Sequence, residues 1–359
     1  MLFQPQQTSI GLDISDRSLK AVQFKRNLKG GLSPQAFSEC ELPAGIFDDG
    51  ELKQPELLAR ALGELLGNPK FGTFNTTYVT ASLPETKTFI KMIDIPPMPT
   101  EEIKQAVKWE AEHHIPIPIE DTYWDWQQIG TPAANARLPV LLAVVPKNIV
   151  DSYTQAITQA KLVPLALEVE AVPIARSLLP LTTTEPKGTA STMIIDVGAT
   201  RTSLMVIDLG TIQFTVSLPI SGRRITETIA SALKLTETQA EKAKLICGLD
   251  PKKCHGAMGE ILHQTMDELV NRIRESIVFY REHFPQGNQI GNIVLCGGGA
   301  NFKLIDKYLG DKLQLPVERG NPWQHLEPTP VPLKPNELIS YTTAIGLALR
   351  AALDGSAYG

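Results

Sequence analysis

Two stretches of this chain, about 180 residues apart, each end an apolar strand on an aspartate and then turn through small or hydroxyl-bearing residues. The first is Ile10-Gly11-Leu12-Asp13-Ile14-Ser15-Asp16-Arg17-Ser18-Leu19-Lys20. The second is Ile194-Ile195-Asp196-Val197-Gly198-Ala199-Thr200-Arg201-Thr202-Ser203. Such an internal echo predicts two lobes of related topology, each opened by a β-hairpin and facing the other. A length of 359 residues agrees, being too great for one ordinary core.

Composition narrows the function. Hydrophobic residues at 43% and charged residues at 20% are those of a soluble globular protein. A net charge of -5 gives no basic footprint, so no nucleic-acid partner is expected. The first ten residues are polar and do not read as a signal peptide. No run approaches the roughly 18 apolar residues needed to span a bilayer. Asp354-Gly355-Ser356-Ala357-Tyr358-Gly359 carries no prenylation box or basic amphipathic tail. The expectation is a cytoplasmic protein. Cys40, Cys247, Cys254 and Cys296 contain no CxxC pair. Cys247, Cys254, His255 and His263 fit no common zinc spacing, so reduced structural thiols are expected.

Along the chain, 9–24 predicts a tight hairpin, 55–66 a helix and 77–83 a strand. A strand over 89–95 runs into Pro96-Pro97-Met98-Pro99. Thr100 is then expected to cap a helix with Glu101 and Glu102 in its first turn, ending near His114. Strands over 122–129 and 138–145 and a helix over 149–160 complete what reads as an inserted subdomain, 88–165. Tyr123, Trp124 and Trp126 alternate between faces of one strand, as subdomain core plus an edge aromatic or as a peptide-docking surface. Residues 181–191 are small and polar, a linker between lobes. Beyond it lie a strand over 192–197 and a meander over 204–208 and 212–219. Ile225, Ile229 and Leu233 mark an amphipathic helix face, and Thr236 with Gln239 a capping box. A long helix runs from Leu262 to Phe284, a buried-type strand covers 291–295, and a helix rich in small residues closes the chain over 338–349.

Three turns carry chemistry. In the first, consecutive backbone N–H groups around Ser15 and Ser18 can cradle phosphate oxygens. Asp13 can hold hydrated Mg²⁺, and Lys20 points back as a point charge for phosphate. In the second, Asp196 repeats the metal-facing carboxylate, Gly198 lets the backbone approach a phosphate, and Ala199 and Thr200 complete the turn. The third is Cys296-Gly297-Gly298-Gly299-Ala300-Asn301, where glycines after an apolar strand let a flat ring or sugar lie against the backbone. It lacks the GxGxxG spacing of a dinucleotide fold. Each turn singly also suits an ordinary hairpin or strand end; their order and separation are far more specific.

Together the three turns resemble the phosphate-1, phosphate-2 and adenosine motifs of the superfamily of actin, heat-shock chaperones and sugar kinases. That resemblance implies an α/β, actin-like two-lobed fold of ribonuclease H-like repeats, holding ATP with Mg²⁺ between the lobes. It implies that Glu241 and Lys244 hold ribose and adenine and that Gly222 faces the nucleotide. Glu170, in Val169-Glu170-Ala171, would orient water, and 342–349 around Gly346 would be a connecting helix. The position of the insert, with Met98-Pro99, Trp109-Glu110-Ala111-Glu112-His113-His114-Ile115-Pro116, Glu120-Asp121, Tyr123-Trp124-Asp125 and Glu168-Val169-Glu170-Ala171 leading to Ala175-Arg176, resembles the PilM family of type IV pilus assembly proteins, near FtsA. The implied lobes are 1–87 with 166–188, the insert 88–165, 189–224 with 286–335, a helical subdomain 225–285, and 336–359 returning to the first lobe. The implied role is an ATP-binding scaffold that takes the cytoplasmic N-terminal peptide of a PilN-type protein, meets other pilus assembly proteins, reaches the inner membrane only through partners, and forms homo-oligomers in one variant of the reading. A small-molecule kinase or an FtsA-like division filament protein are the alternatives. Ser15 and Asp16 depart from the usual glycine and small hydroxyl residue. Asp16 is therefore expected to repel phosphate and to slow or abolish hydrolysis.

Overall fold

The computed structural model describes residues 9–27, 30–129, 137–180, 190–328, 331 and 333–353. The polar leader, most of the linker and the tail from 354 lie outside the described residues. The chain opens with β1 (Ile10–Ile14), β2 (Ser18–Arg26) and β3 (Leu32–Glu41), then a short hairpin of β4 (Phe47–Asp48) and β5 (Glu51–Leu52). Helix α1 (Pro55–Gly67), β6 (Phe71–Gly72) and β7 (Tyr78–Leu83) follow. Next come β8 (Phe89–Ile95), α2 (Thr100–His114), β9 (Thr122–Gln128), β10 (Leu138–Pro146), α3 (Lys147–Gln159), β11 (Val163–Val169) and α4 (Ala171–Leu178). The sheet they build runs β11-β7-β1-β2-β3-β6. Its central strand β1 is parallel to β7 and antiparallel to β2, and it is buried throughout, which explains its unbroken apolar run around Asp13.

The second half repeats this plan with β12 (Ser191–Val197), β13 (Thr202–Asp208), β14 (Thr211–Leu218), α5 (Gly222–Leu233), α6 (Glu237–Cys247) and α7 (Ala257–His283). Then come β15 (Ile290–Cys296), α8 (Ile305–Leu313), β16 (Val317–Arg319), α9 (Pro335–Leu338) and α10 (Thr342–Leu353). The order β16-β15-β12-β13-β14 reproduces β11-β7-β1-β2-β3. The internal echo is thus a repeat of whole topology. The sheet then continues through β8-β10-β9, because β14 pairs with β8 at Phe214↔Lys91.

The insert has its own core, formed by Ile93, Val140, Leu142 and Val144 of β8 and β10 under Ile103, Val107 and Ala111 of α2. Trp124 and Trp126 pack against it while Tyr123 stays exposed. The 88–165 span divides at its end. Ile149, Tyr153, Ala156 and Ile157 of α3 join the core under β1 and β7, and β11 pairs with β7. These two elements complete the sheet of the first lobe, so the separately packed part stops where α3 begins. Thr100 is the first helical residue of α2 rather than its cap; Pro99 holds the cap position without a side-chain bond. The Thr236–Gln239 capping box of α6 forms as its spacing predicts. Cys247 and Cys254 are joined as a disulfide, Cα atoms 5.9 Å apart, where reduced thiols were expected. The turn between them, at Gly248, brings the two positions together, which a reading by motif spacing does not register.

Helix α10 returns to the first lobe and crosses α4 at very close range. A Cβ on Gly346 would lie 1.8 Å from the Pro173 carbonyl oxygen, and one on Gly11 would lie 2.1 Å from that of Ala344. Arg176 of α4 donates to both carboxylate oxygens of Glu168, at 2.7 and 2.9 Å, and to the Gly346 carbonyl at 2.9 Å. Arg350 of α10 donates to the same carboxylate. A bidentate buried pair with its remaining donor satisfied is the arrangement in which such a charge is tolerated. Gly346→Ala is expected to cost about 2–3 kcal/mol in urea denaturation, since neither backbone can yield. Gly63→Ala, on the exposed face of α1 with nothing near its Cβ, should be neutral or stabilise by about 0.5–1 kcal/mol.

Candidate functional site

The turn after β1 is closed by its own hydroxyls. The Ser15 amide donates to the Ser18 carbonyl at 3.1 Å, and the Ser15 hydroxyl lies 3.1 Å from that of Ser18. Lys20, opposite Asp13 in the hairpin register, donates to the Ser18 hydroxyl at 3.1 Å and stands 4.0 Å from the Asp13 carboxylate. Ser82, at the end of β7, accepts from the Ile14 amide at 3.0 Å and donates to Asp13 at 3.4 Å. Burial raises the Asp13 carboxyl above its usual range, opposed by Lys20 and Ser82. Asp16 departs from expectation. Its carboxylate accepts the Gly50 amide at 3.2 Å and so caps the β4–β5 turn. It is committed to the protein's own backbone, a contact 34 residues away that local motif comparison does not register.

In the second lobe the Gly198 amide donates to the Arg201 carbonyl at 2.9 Å. The turn is docked on the start of α5, where the Gly222 and Arg223 amides donate to the carbonyls of Gly198 and Ala199, both at 3.0 Å. Ser221 caps that helix. A Cβ on Gly222 would meet the Gly198 carbonyl at 3.4 Å, so this glycine lines the turn. Ala199 and Thr200 stand at its tip. Asp196 sits at the cleft floor, half-buried; its carboxyl is pushed up to about 7 by burial, then by Asp13 and Glu85. Glu170, at the start of α4 and also half-buried, is pushed well above the usual carboxylate range by burial, then by Asp196 and Asp13. Carboxylates of both lobes therefore converge on one space, with Lys20 as the cation that moderates them. Glu85 belongs to this set and is missed by motif reading. Its signal is the one that marks Asp13 and Asp196, an acid just after an apolar strand, here β7 and Pro84.

The glycines after β15 divide in role. Gly297 has a positive φ of 76°, and a Cβ there would lie 2.0 Å from the Asp196 carboxylate. A Cβ on Gly299 would lie 2.3 Å from a Val197 methyl. Gly298 alone faces open space. Glu241 and Lys244 pair at 2.7 Å along α6; Lys244 also donates to the Gly222 carbonyl at 3.1 Å and the Thr226 hydroxyl at 3.0 Å. Glu241 accepts from Thr226 at 2.6 Å. The pair expected to hold ribose and base is thereby tied to the phosphate-2 turn. The Asn301 side-chain amide nitrogen instead donates to the Asn336 carbonyl at 2.6 Å, joining its loop to α9, while its side-chain oxygen Oδ1 is buried without a partner. A nucleotide with Mg²⁺ fits these residues on two counts. Asp196 and Glu170 at the floor crowd the buried Asp13 while staying partly exposed themselves, and the Gly298 face is unfilled.

Two ribonuclease H-like repeats closing on one cleft, with a hairpin turn from each, define the actin-like ATPase fold. The solved structures most informative here agree. The PilM–PilN type IV pilus biogenesis complex matches at 26% identity with a TM-score of 0.82, covering 97% of this chain and 99% of that one. The ethanolamine utilization protein EutJ from Carboxydothermus hydrogenoformans matches at 16% identity and 0.58, over 96% and 90% of the two chains. MreB5 of Spiroplasma citri, bound to AMPPNP, matches at 13% and 0.56, over 96% and 95%. The family described as type IV pilus assembly protein PilM matches residues 11–352, and this chain belongs to it. The cell division protein FtsA of Pseudomonas aeruginosa is 24% identical over 189 residues, 46% of this chain and 43% of that relative's length.

Two outcomes follow from the geometry. Gly298→Val should leave the melting temperature of the ligand-free protein within a degree or two and abolish its rise on adding nucleotide, whereas Gly299→Val should lower the melting temperature itself. Asp196, raised in the folded state, contributes stability that is present below its unfolded value near 4 and is lost as pH rises through about 7. Asp196→Asn should therefore melt higher than the wild type at pH 8 without ligand and equally at pH 4, as checked by calorimetry across that range.

Proposed function

We propose that this protein is an ATP-binding scaffold of the type IV pilus inner-membrane assembly platform, holding the cytoplasmic N-terminal peptide of a PilN-type protein. The observation that carries the reading is the near-complete structural likeness to the PilM–PilN complex, together with family membership. Among the described residues no helix is long and apolar enough to cross a membrane, so recruitment to the inner-membrane face would come through the partner.

In this reading Asp13 and Asp196 hold Mg²⁺ through its water shell, and the turns at Ser15–Ser18 and Gly198–Thr200 take the phosphates with Lys20. Gly298 offers its open face to the base, with Glu241 and Lys244 toward the ribose, while Gly297 and Gly299 let their loop close on Asp196 and Val197, Asn301 ties it to α9, and Gly222 lines the second phosphate turn. Bound Mg²⁺ would supply the positive charge that the crowded carboxylates lack. Glu170 is the acid placed to orient water. Burial, then Asp196 and Asp13, push its carboxyl well above the usual carboxylate range, which disfavours the ionised form that accepts a proton and so slows hydrolysis. That effect stands beside the repulsion of phosphate expected from Asp16, whose carboxylate the Gly50 amide holds in place. A small-molecule kinase or an FtsA-like division filament protein would use the same fold.

The peptide is assigned to the junction of the insert with the first lobe. There Tyr123 of β9 donates to Asp151 of α3 at 3.2 Å, with the Lys147 ammonium 5.9 Å from its ring. A groove of about 350 Å³ runs along β9 beside Lys104. β9 is the last strand of its sheet and offers backbone groups to an extended chain. Calorimetric titration with a synthetic PilN-type tail of about ten residues should give micromolar affinity. Tyr123→Ala should weaken it about tenfold. Absence of binding by the wild type would reject the pilus assignment; unchanged binding by Tyr123→Ala would reject the location.

A further inference from the structure

One short hairpin touches both phosphate turns. The β4–β5 turn, Asp49-Gly50, belongs to the first lobe and has positive φ at both residues, 47° and 79°. On one side the Gly50 amide donates to Asp16, next to Ser15 in the first turn, and the Gly50 carbonyl accepts from the buried Tyr153 hydroxyl at 3.1 Å. On the other side Asp49 accepts from Arg201 at 3.4 Å. Arg201 is itself the closing residue of the second turn, through its carbonyl on the Gly198 amide, and its Nε donates to Ser217 of β14 at 2.8 Å. The Lys87 ammonium, 3.4 Å from the other Asp49 oxygen, holds the carboxylate from behind.

A second contact runs parallel to this one. Glu85, in the turn after β7, is 9% exposed and reaches the second lobe, where the Ser203 and Thr215 hydroxyls of β13 and β14 face its carboxylate. Neither oxygen completes a hydrogen bond of good geometry in this state. The Ser203 and Thr215 hydroxyls are the donors at hand for it, and buried bonds of that kind are strong because the unpaired alternative is costly.

We propose that Asp49, Arg201 and Glu85 form a strut across the cleft that sets the spacing of the two phosphate turns, and so selects the length of the polyphosphate bound there. The proposal rests on the nucleotide reading above and deepens it. A triphosphate must engage both turns at once, whereas a diphosphate can be held with less of that span. Loosening the strut should then penalise the longer ligand selectively. All three are positioning residues; none is required to touch the ligand.

The test is calorimetry with Mg-ATP and Mg-ADP on Arg201→Ala, Asp49→Ala, the double variant, Glu85→Ala and Glu85→Gln. Arg201→Ala and Asp49→Ala should each weaken ATP three- to tenfold and ADP less than twofold, and the double variant should be no worse than the poorer single. Glu85→Gln, which keeps an acceptor for the two hydroxyls, should retain the ATP preference that Glu85→Ala loses. Equal losses for both nucleotides, or fully additive singles, would overturn the strut. Should the wild type bind neither nucleotide, the nucleotide reading falls, and the strut is judged by amide hydrogen exchange at residues 47–52. Faster exchange in Arg201→Ala than in wild type supports it, and unchanged exchange rejects it.

Discussion

Acidic side chains from both lobes share one cleft and one nearby lysine. Burial raises the cost of ionising Asp13, Glu85, Glu170 and Asp196, Asp13 and Glu85 add to that cost at Glu170 and Asp196, and Lys20 offsets part of it at Asp13, Glu170 and Asp196. Left alone, such groups would separate. They stay together because each ends or follows a strand or helix that cannot move independently. Asp13 is in central β1, Asp196 in central β12, Glu170 at the head of α4, and Glu85 in the turn after β7. The crossing of α10 over α4 holds these frames at contact distance, with Gly346 and Gly11 removing the side chains that would prop them apart. Binding chemistry and hinge packing are therefore one constraint: a cleft that is electrostatically incomplete can persist only inside a rigid joint.

Much of this was legible from residues because the informative signals were local. An acid at the end of an apolar strand gave Asp13 and Asp196. A Thr–Gln spacing gave the start of α6, and three glycines gave the loop after β15. What was not legible depends on distant parts meeting. Asp16 gives no local sign that its carboxylate caps a turn 34 residues away at Gly50. Glu85 carries the same local signal as Asp13, with hydroxyls following at Thr86 and Thr88 but no glycine, and its meaning arises only when the second lobe lies against it. The amphipathic face of α3 shows that it is half-buried without showing in which core, and the Cys247–Cys254 pairing depends on how one turn folds back.

Glu168 and Arg176 illustrate a third category, residues noticed for the wrong reason. Their sequence context marks family resemblance, whereas their structural role is to bind α4 to α10 through the Gly346 carbonyl and Arg350. The two connecting helices are thus pinned by polar contacts as well as by close packing. Parting the pair would strand a buried charge, so this crossing resists separation.

The strand order of the larger sheet has an implication for how the protein can be divided. By sequence, β8, β9 and β10 interrupt the first lobe; by hydrogen bonding, they extend the second. Cutting the chain between lobes would leave β14 as a bare edge on one fragment and β8 as a bare edge on the other, each lined by unpaired backbone groups and near Phe214, Phe279 or Phe89. Exposed edges of that kind recruit other strands. The two halves, though related by an internal repeat, are therefore poor candidates for separate life, and the join that makes them inseparable also keeps them from sticking to their neighbours.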